Sequence, residues 1–338
     1  MRALVTGGAG FIGSHIVERL LKDGHKVIVL DDLCSGKLEN LSFVSSELVE
    51  WGKTKDLSST KWSSGNFTFV YGDIRDYSVC GEVCSGVDVI FHQAALRSVP
   101  KSMMYPYEYN EVNINGTLNL LKTAQRCRVK RFIFASSSSI YGETDKFPES
   151  EEDFPRLISP YALTKLAGEY YCRIFAKNFG VETICLRYFN VYGERQSLDD
   201  EYAVVIPKFI YCMLKDKNPP IHGDGKQSRD FTYVENVVEA NLLASEVSFS
   251  KIQALENNVF NIANGSSYSI LELVEYLNQI MGKSIEPVFT PPRPGDVFKT
   301  LADISKAKDV LGYRPKVDFK EGLKRTVEWF RQLSVPKI

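Results

Sequence analysis

The sequence has little excess charge, few histidines, no long apolar run and no internal repeat, and each shortage removes a class of function. Lys and Arg number 41 against 42 Asp and Glu, a formal net charge of -1. No global attraction therefore draws the chain to nucleic acid or to an anionic membrane, and any bound anion is held by a local site. No apolar stretch approaches the roughly 18–20 residues that span a bilayer. Met1-Arg2-Ala3-Leu4-Val5-Thr6 runs directly into glycines, without the apolar segment of a leader peptide. A cytoplasmic enzyme is the expectation. The 7 cysteines are an odd number in a mid-sized chain and do not read as a secreted disulfide framework. His15, His25, His92 and His222 are scattered singly, and no zinc-type spacing surrounds Cys80 and Cys84, so no metal site is expected.

What is present is an ordinary globular composition, 44% apolar and 25% charged over 338 residues, enough for one large domain or two sharing an interface. The first half alternates short apolar runs with helical spacing. Ala3-Leu4-Val5, Val27-Ile28-Val29-Leu30, Phe67-Thr68-Phe69-Val70, residues 87–91, Arg131-Phe132-Ile133-Phe134-Ala135 and Thr183-Ile184-Cys185-Leu186 read as buried strands. Continuous apolar strands between helices predict a parallel sheet covered on both faces, the doubly wound α/β class. Residues 35–65 interrupt the alternation with a polar stretch, read as a surface insertion with one helical piece at 45–51. Beyond Arg187 the pattern loosens and prolines multiply, as suits a smaller C-terminal α/β substrate-binding domain. The expected division gives residues 1–186 to the larger domain, with 228–247 returning to it, and 187–227 and 248–338 to the smaller.

The strongest local signal is Thr6-Gly7-Gly8-Ala9-Gly10-Phe11-Ile12-Gly13, between a predicted strand and a predicted helix. Gly7 suits the tight turn, Gly10 the approach of backbone to a pyrophosphate, and Gly13 the packing of helix on sheet. This is the Rossmann-type dinucleotide loop. Asp31 stands eighteen residues beyond Gly13, at the end of the second strand. A carboxylate there accepts hydrogen bonds from the adenosine ribose and repels a 2′-phosphate, which predicts NAD over NADP. Lys37 is the one nearby base that argues the other way. Gly72-Asp73-Ile74-Arg75-Asp76, after the third strand, is either a capped turn or the border of the adenine. His92-Gln93-Ala94-Ala95 ends the fourth strand with small residues that leave a cofactor room to cross.

Two further features carry chemistry. Ser136-Ser137-Ser138-Ser139 follows the fifth strand, at the sheet edge where α/β proteins bind ligands. Twenty-four residues past Ser137, Tyr161-Ala162-Leu163-Thr164-Lys165 opens a helix introduced by Ser159-Pro160. Tyr161 and Lys165 are four apart and share a helix face. A phenol with a free pKa near 10 is a poor base at neutral pH, but a neighbouring ammonium and a cationic nicotinamide each favour the phenolate. Ser137 then shares the proton or holds the substrate hydroxyl.

Taken together, these residues resemble the extended short-chain dehydrogenase/reductase family over nearly the whole chain. Leu186-Arg187-Tyr188-Phe189-Asn190-Val191-Tyr192-Gly193, Ser228-Arg229-Asp230-Phe231 and Arg293-Pro294-Gly295-Asp296 resemble its UDP-sugar 4-epimerase branch, and the insertion looks like that of the UDP-N-acetylglucosamine enzymes. The resemblance implies bound NAD and a catalytic set of Tyr161, Lys165 and Ser137. It implies a cofactor site of Gly7, Gly10, Phe11, Ile12, Gly13, Asp31, Asp32, Ser35, Gly36, Asp73, Ile74, Gln93, Ala94, Ala95, Tyr161, Lys165, Tyr188 and Phe189. The implied UDP-sugar site is Arg97, Ser137, Ser138, Ser139, Tyr161, Asn190, Ala203, Val204, Val205, Ile221, His222, Arg229, Arg293, Asp296 and Thr300. In it Arg229 and Arg293 clamp the diphosphate, Asp296 holds the uridine ribose and Asn190 sits near the phosphates.

The resemblance also separates branches. Sugar 4,6-dehydratases carry Asp-Glu where this chain has Ser138-Ser139, and UDP-glucuronate decarboxylases carry Glu at the position of Ser139. Dehydration needs a further acid and base; epimerisation needs only reversible hydride transfer, which fits the smaller set here. Thr300 stands where a bulky tyrosine restricts hexose size in bacterial UDP-galactose enzymes, leaving room for an N-acetyl group. Arg97 is larger than its counterpart in acetyl-specific enzymes and suits a carboxylate, which keeps UDP-glucuronate 4-epimerisation as the alternative. A catalytically silent NAD sensor on the same fold is the alternative from another class, and the intact Ser/Tyr/Lys set argues against it. A homodimer through a four-helix bundle of residues 113–127 and 161–178 is implied too.

Overall fold

Apolar runs of the sequence lie side by side in one sheet of a computed structural model, which describes residues 1–54, 61–198, 205–253, 255, 257–292 and 297–334. The strands, in chain order, are β1 (Arg2–Thr6), β2 (Lys26–Asp31), β3 (Lys61–Ser64), β4 (Phe67–Tyr71), β5 (Val89–His92), β6 (Arg131–Ser137), β7 (Glu182–Tyr188), β8 (Val191–Tyr192), β9 (Pro220–His222), β10 (Ser228–Asp230), β11 (Thr232–Tyr233), β12 (Val259–Ile262), β13 (Ser267–Ser269) and β14 (Val288–Thr290). Eight of them form the main sheet in the order β12-β7-β6-β5-β1-β2-β4-β3. Neighbours run parallel except β3, which is antiparallel to β4.

The reason is burial on both faces. Ala3, Val5, Val29, Phe69, Phe91 and Ile133 belong to the apolar layer on one side, and Leu4, Ile28, Ile90, Phe132 and Phe134 to that on the other. Successive strand residues point to opposite faces, so each strand must be apolar throughout. The chain winds outward from β1 to β2 and β4, then returns to β5 on the other side of β1. This reversal opens a crevice at the carboxyl ends of β1 and β5, where doubly wound sheets take ligands. A third apolar layer, including Phe209, Ile221, Leu273, Phe319 and Leu323, lies under the helices Val205–Leu214, Ile270–Met281 and Phe319–Ser334 and the small strands.

The structure corrects two readings. Residues 248–338 do not all leave the large sheet: β12 extends it beside β7, because Val259-Phe260-Asn261-Ile262 is buried at every position. The insertion supplies the helix Ser46–Thr54 and also β3, whose Lys61-Trp62-Ser63-Ser64 is too short and polar to announce itself as a strand. Among the described residues no helix is long and apolar enough to cross a membrane.

Candidate active site

A cleft of about 1800 Å³ runs along the carboxyl ends of the central strands. Its first section is built by the turn after β1. Gly7 adopts φ +67°, a conformation that penalises any side chain, and a Cβ there would stand 2.8 Å from the Ala94 backbone nitrogen. A Cβ on Gly13 would collide with the Gly7 carbonyl oxygen. The helix Phe11–Lys22 starts at Gly10 with no side-chain cap and no acidic residue in its first turn. Its first amides and dipole thus remain available to an anion. At the end of β2 the Asp31 carboxylate accepts from Ala9 N at 2.9 Å and Leu33 N at 2.8 Å. Burial, opposed by these two amides, pushes its pKa up to about 6.

Asp32, Ser35, Asp73, Ile74, Gln93, Ala94, Ala95 and Tyr188 line this section, as do Gly7, Gly10, Phe11, Ile12 and Gly13. Gly36 instead backs the Asp31 carboxylate: a Cβ there would lie 2.8 Å from Asp31 Oδ1. Phe189 is a correction. It is fully buried and packs at 5.9 Å on Tyr141, because the residue after Tyr188 faces the opposite side of the chain. Tyr188 alone faces the cleft, its hydroxyl accepting from Asn241 Nδ2 at 2.8 Å. The glycine cradle, the uncapped helix and the Asp31 carboxylate fit a dinucleotide whose ribose bears free hydroxyls.

The residues expected to react come from two elements. Ser137 ends β6, and its Oγ accepts from Ser139 N at 3.2 Å and Ser139 Oγ at 2.9 Å. The helix Pro160–Phe179 begins with Ser159 capping Ala162 N at 3.2 Å and Pro160 in its first turn. That start sets Tyr161 close enough to Ser137 for the serine hydroxyl to favour its phenolate. Lys165, one turn on, is buried and donates to the Ala135 carbonyl at 2.7 Å. Burial pulls the Lys165 pKa down to about 8, opposed by the Glu169 carboxylate. Burial holds the Tyr161 phenol above its usual range, against the Ser137 bond and the Arg97 charge. In the protein alone, burial therefore outweighs the lowering expected from the sequence.

Behind this set lies a polar network that sequence reading missed. Glu169 accepts from Ser136 Oγ at 2.5 Å and from Arg187 Nε at 2.8 Å and Nη2 at 2.7 Å. The Arg187 guanidinium packs 4.9 Å from the Tyr141 ring centre, and Tyr141 donates to Asn261 Oδ1 at 2.6 Å. His92 is also hidden, hydrogen-bonded to Thr6 Oγ1 at 2.7 Å and Thr117 Oγ1 at 2.9 Å, and burial lowers its pKa to about 3. The pairing of β1 with β5, which sets Thr6 beside His92, is the signal that could have found it.

The far wall holds Asn190, Val205, Arg229 and Thr300, with Arg97, Ser138 and Ser139 also on the cleft. Asn190, in the left-handed region at φ 33°, donates to Thr300 Oγ1 at 3.0 Å and to the Asp230 carbonyl at 3.2 Å. Arg229 Nη1 donates to the Ser228 carbonyl at 2.9 Å. Ile221 and His222 are a second correction. Ile221 is fully buried in the third apolar layer and His222 meets Thr290 Oγ1 at 2.8 Å, because β9 pairs with β14 away from the cleft. Ala203, Val204, Arg293 and Asp296 lie outside the described residues. Residues of the insertion, among them Asn40, Ser46 and Val49, line the cleft without having been foreseen.

This arrangement recurs in known proteins. The chain is 41% identical to the UDP-glucose 4-epimerase of Thermotoga maritima solved with UDP-glucose, with a TM-score of 0.87 over 98% of this chain and 99% of that one. It is 38% identical to the UDP-N-acetylglucosamine 4-epimerase of Methanobrevibacter ruminantium M1 solved with UDP-N-acetylmuramic acid, TM-score 0.87, covering 98% of each chain. It is 34% identical to the UDP-glucuronic acid 4-epimerase of Bacillus cereus solved with UDP-glucuronic acid and NAD, TM-score 0.82, over 98% of this chain and 100% of that one. Residues 3–263 match the NAD dependent epimerase/dehydratase family. The cradle, the Tyr161/Lys165 pair and the match across three quarters of the length lead to one conclusion: the chain belongs to the NAD dependent epimerase/dehydratase family, with NAD as its cofactor.

Proposed function

We propose that the protein is a UDP-hexose 4-epimerase acting on UDP-glucose, UDP-N-acetylglucosamine or both. The observation that carries this reading is Tyr161 set beside Ser137, with buried Lys165 one turn behind, and serines at 138 and 139 where dehydration or decarboxylation would need acids. Bound NAD supplies a reversible hydride acceptor, so the reaction is redox-neutral. Tyr161 takes the proton from the sugar O4 and returns it at the end. The Ser137 hydroxyl bridges Tyr161 and O4, and Lys165 stabilises the phenolate electrostatically and holds the nicotinamide ribose. The cleft, at about 1800 Å³, leaves the 4-keto sugar room to turn between the two transfers. Arg229, with Arg293, neutralises the diphosphate.

Arg97 supports a second reading. It is exposed on the cleft and its charge reaches Tyr161, a position suited to a uronate carboxylate such as that of the Bacillus cereus enzyme's ligand. In either case we place the enzyme in the cytoplasm, with residues 1–186 and 228–247 as the NAD-binding part. Leu163, Tyr170, Ile174 and Phe179, exposed along one helix, suit a homodimeric four-helix bundle. Incubation with UDP-glucose, UDP-N-acetylglucosamine and UDP-glucuronate, with products resolved by NMR, tests the assignment. C4 inversion of at least one is expected; inversion of none overturns it.

A further inference from the structure

One acid on the cleft has no part in the scheme above. Glu149 lines the cavity, yet it is 1% exposed. Its segment is tied down on every side. Glu149 N donates to the Leu301 carbonyl at 2.7 Å, Leu301 N donates to Glu149 Oε2 at 3.0 Å, and the Glu149 carbonyl accepts from Asp303 N at 2.8 Å and Asn261 Nδ2 at 2.9 Å. The next residue along, Thr300, is the one bonded to Asn190. Glu149, Thr300 and Asn190 therefore form one tied stretch of wall on the same cleft as Tyr161 and Ser139.

We propose that Glu149 is a specificity-determining residue, whose fixed carboxyl group on the cleft wall beside Thr300 admits uncharged hexoses and, once ionised, disfavours uronates. This rests on the epimerase reading and chooses between its two branches. The loop clamps one oxygen of the carboxyl against Leu301, so the group cannot swing away from a ligand. Once Glu149 is ionised, a uronate would place a second carboxylate in the same desolvated space, where like charges cannot both persist without cost. Arg97, exposed on the same cleft, would offset only part of this cost. Burial raises the Glu149 pKa to about 8, with Asp230 and Asp153 adding to the rise and Leu301 N and Arg229 opposing it. Near neutrality Glu149 is thus a hydrogen-bond donor to a hydroxyl or an amide carbonyl, and it becomes a repelling anion as the pH rises. Asp230, raised by burial to about 7, adds negative charge in the same direction.

The test reads binding, so that it does not depend on turnover. Calorimetry on the NAD-loaded protein gives the Kd of UDP-glucuronate relative to UDP-glucose for the wild type, for Glu149→Gln and for Glu149→Ala. At pH 9, where Glu149 is ionised, the wild type should favour UDP-glucose, and either substitution should shrink the preference about tenfold. Equal wild-type affinities, or a preference unchanged in the variants, overturn the proposal. The wild-type preference should also widen between pH 6.5 and pH 9, and by more than that of Glu149→Gln; a flat or narrowing wild-type ratio, or equal widening in the variant, overturns the proposal as well. Absence of C4 inversion in the product assay strikes the epimerase reading instead, and leaves these binding ratios measurable.

Discussion

Lys165 lies with its ammonium 5.9 Å from the centre of the Tyr161 ring while it donates to the Ala135 carbonyl at 2.7 Å. The lysine is thus anchored to β6, the strand that carries Ser137, and the helix presents the tyrosine to the same strand. Tyr161→Phe removes the proton acceptor and little else. We expect kcat to fall by about 10³-fold or more while NAD stays bound, a loss on the scale of general acid–base catalysis. Near-normal turnover would remove Tyr161 from its role.

The same geometry sets an alkaline limit. Burial lowers the Lys165 pKa to about 8, so its charge is present below that pH and lost above it. Turnover should therefore decline as the pH rises through about 8. Lys165→Arg, which keeps its charge, should move the decline upward; an unshifted limb in the pH–rate profile of that variant would assign the decline to another group.

Asp31 governs the acid side of cofactor binding. Its pKa is raised to about 6, and only the carboxylate accepts from two ribose hydroxyls. NAD affinity, followed by nicotinamide fluorescence of the reduced form or by calorimetry, should weaken below about pH 6. Asp31→Ala should weaken NAD at least tenfold and narrow its advantage over NADP, since the repulsion of a 2′-phosphate is lost.

The Glu169–Arg187 pair is 5% exposed on each side. Glu169→Ala leaves a buried guanidinium without its counter-charge and should cost about 3–5 kcal/mol in denaturant unfolding. Glu169→Gln combined with Arg187→Met should recover much of that loss. Equal losses for the single and double variants would mean that packing around Tyr141, rather than charge, sets the cost.

The exposed face of the helix Pro160–Phe179 predicts self-association. Ile174→Asp, at a side chain 45% exposed and outside the cleft, should convert a dimer to a monomer in sedimentation experiments. A wild-type monomer would dispose of the four-helix bundle.

Much of the fold is legible because parallel strands buried on both faces must be apolar at every position, so β1, β2, β4, β5, β6 and β7 stand out as runs. The dinucleotide loop and the Tyr161/Lys165 pair are legible because their spacing is local: a turn and one turn of helix. What escapes is decided at a distance. Phe189 and Tyr188 are adjacent aromatics, and only the observed backbone decides which faces the cleft. Ile221 and His222 follow β14, sixty-eight residues away in the register, rather than the sugar. Glu149 reads as one acid in an acidic loop until Leu301 closes over it.

The antiparallel β3 has a consequence for the protein in concentrated solution. Beyond β2, β4 is the last parallel strand, apolar at Phe67, Phe69 and Val70, and its outer edge would otherwise present a row of open amides and carbonyls. A second molecule could template on such an edge, strand to strand. β3 occupies it with four residues, of which Lys61, Ser63 and Ser64 are exposed, too short and too polar to recruit another strand in turn. The insertion, whatever it contributes to the cleft through Ser46 and Val49, also terminates the sheet, and a chain shortened across residues 61–64 should show it first as aggregation on refolding.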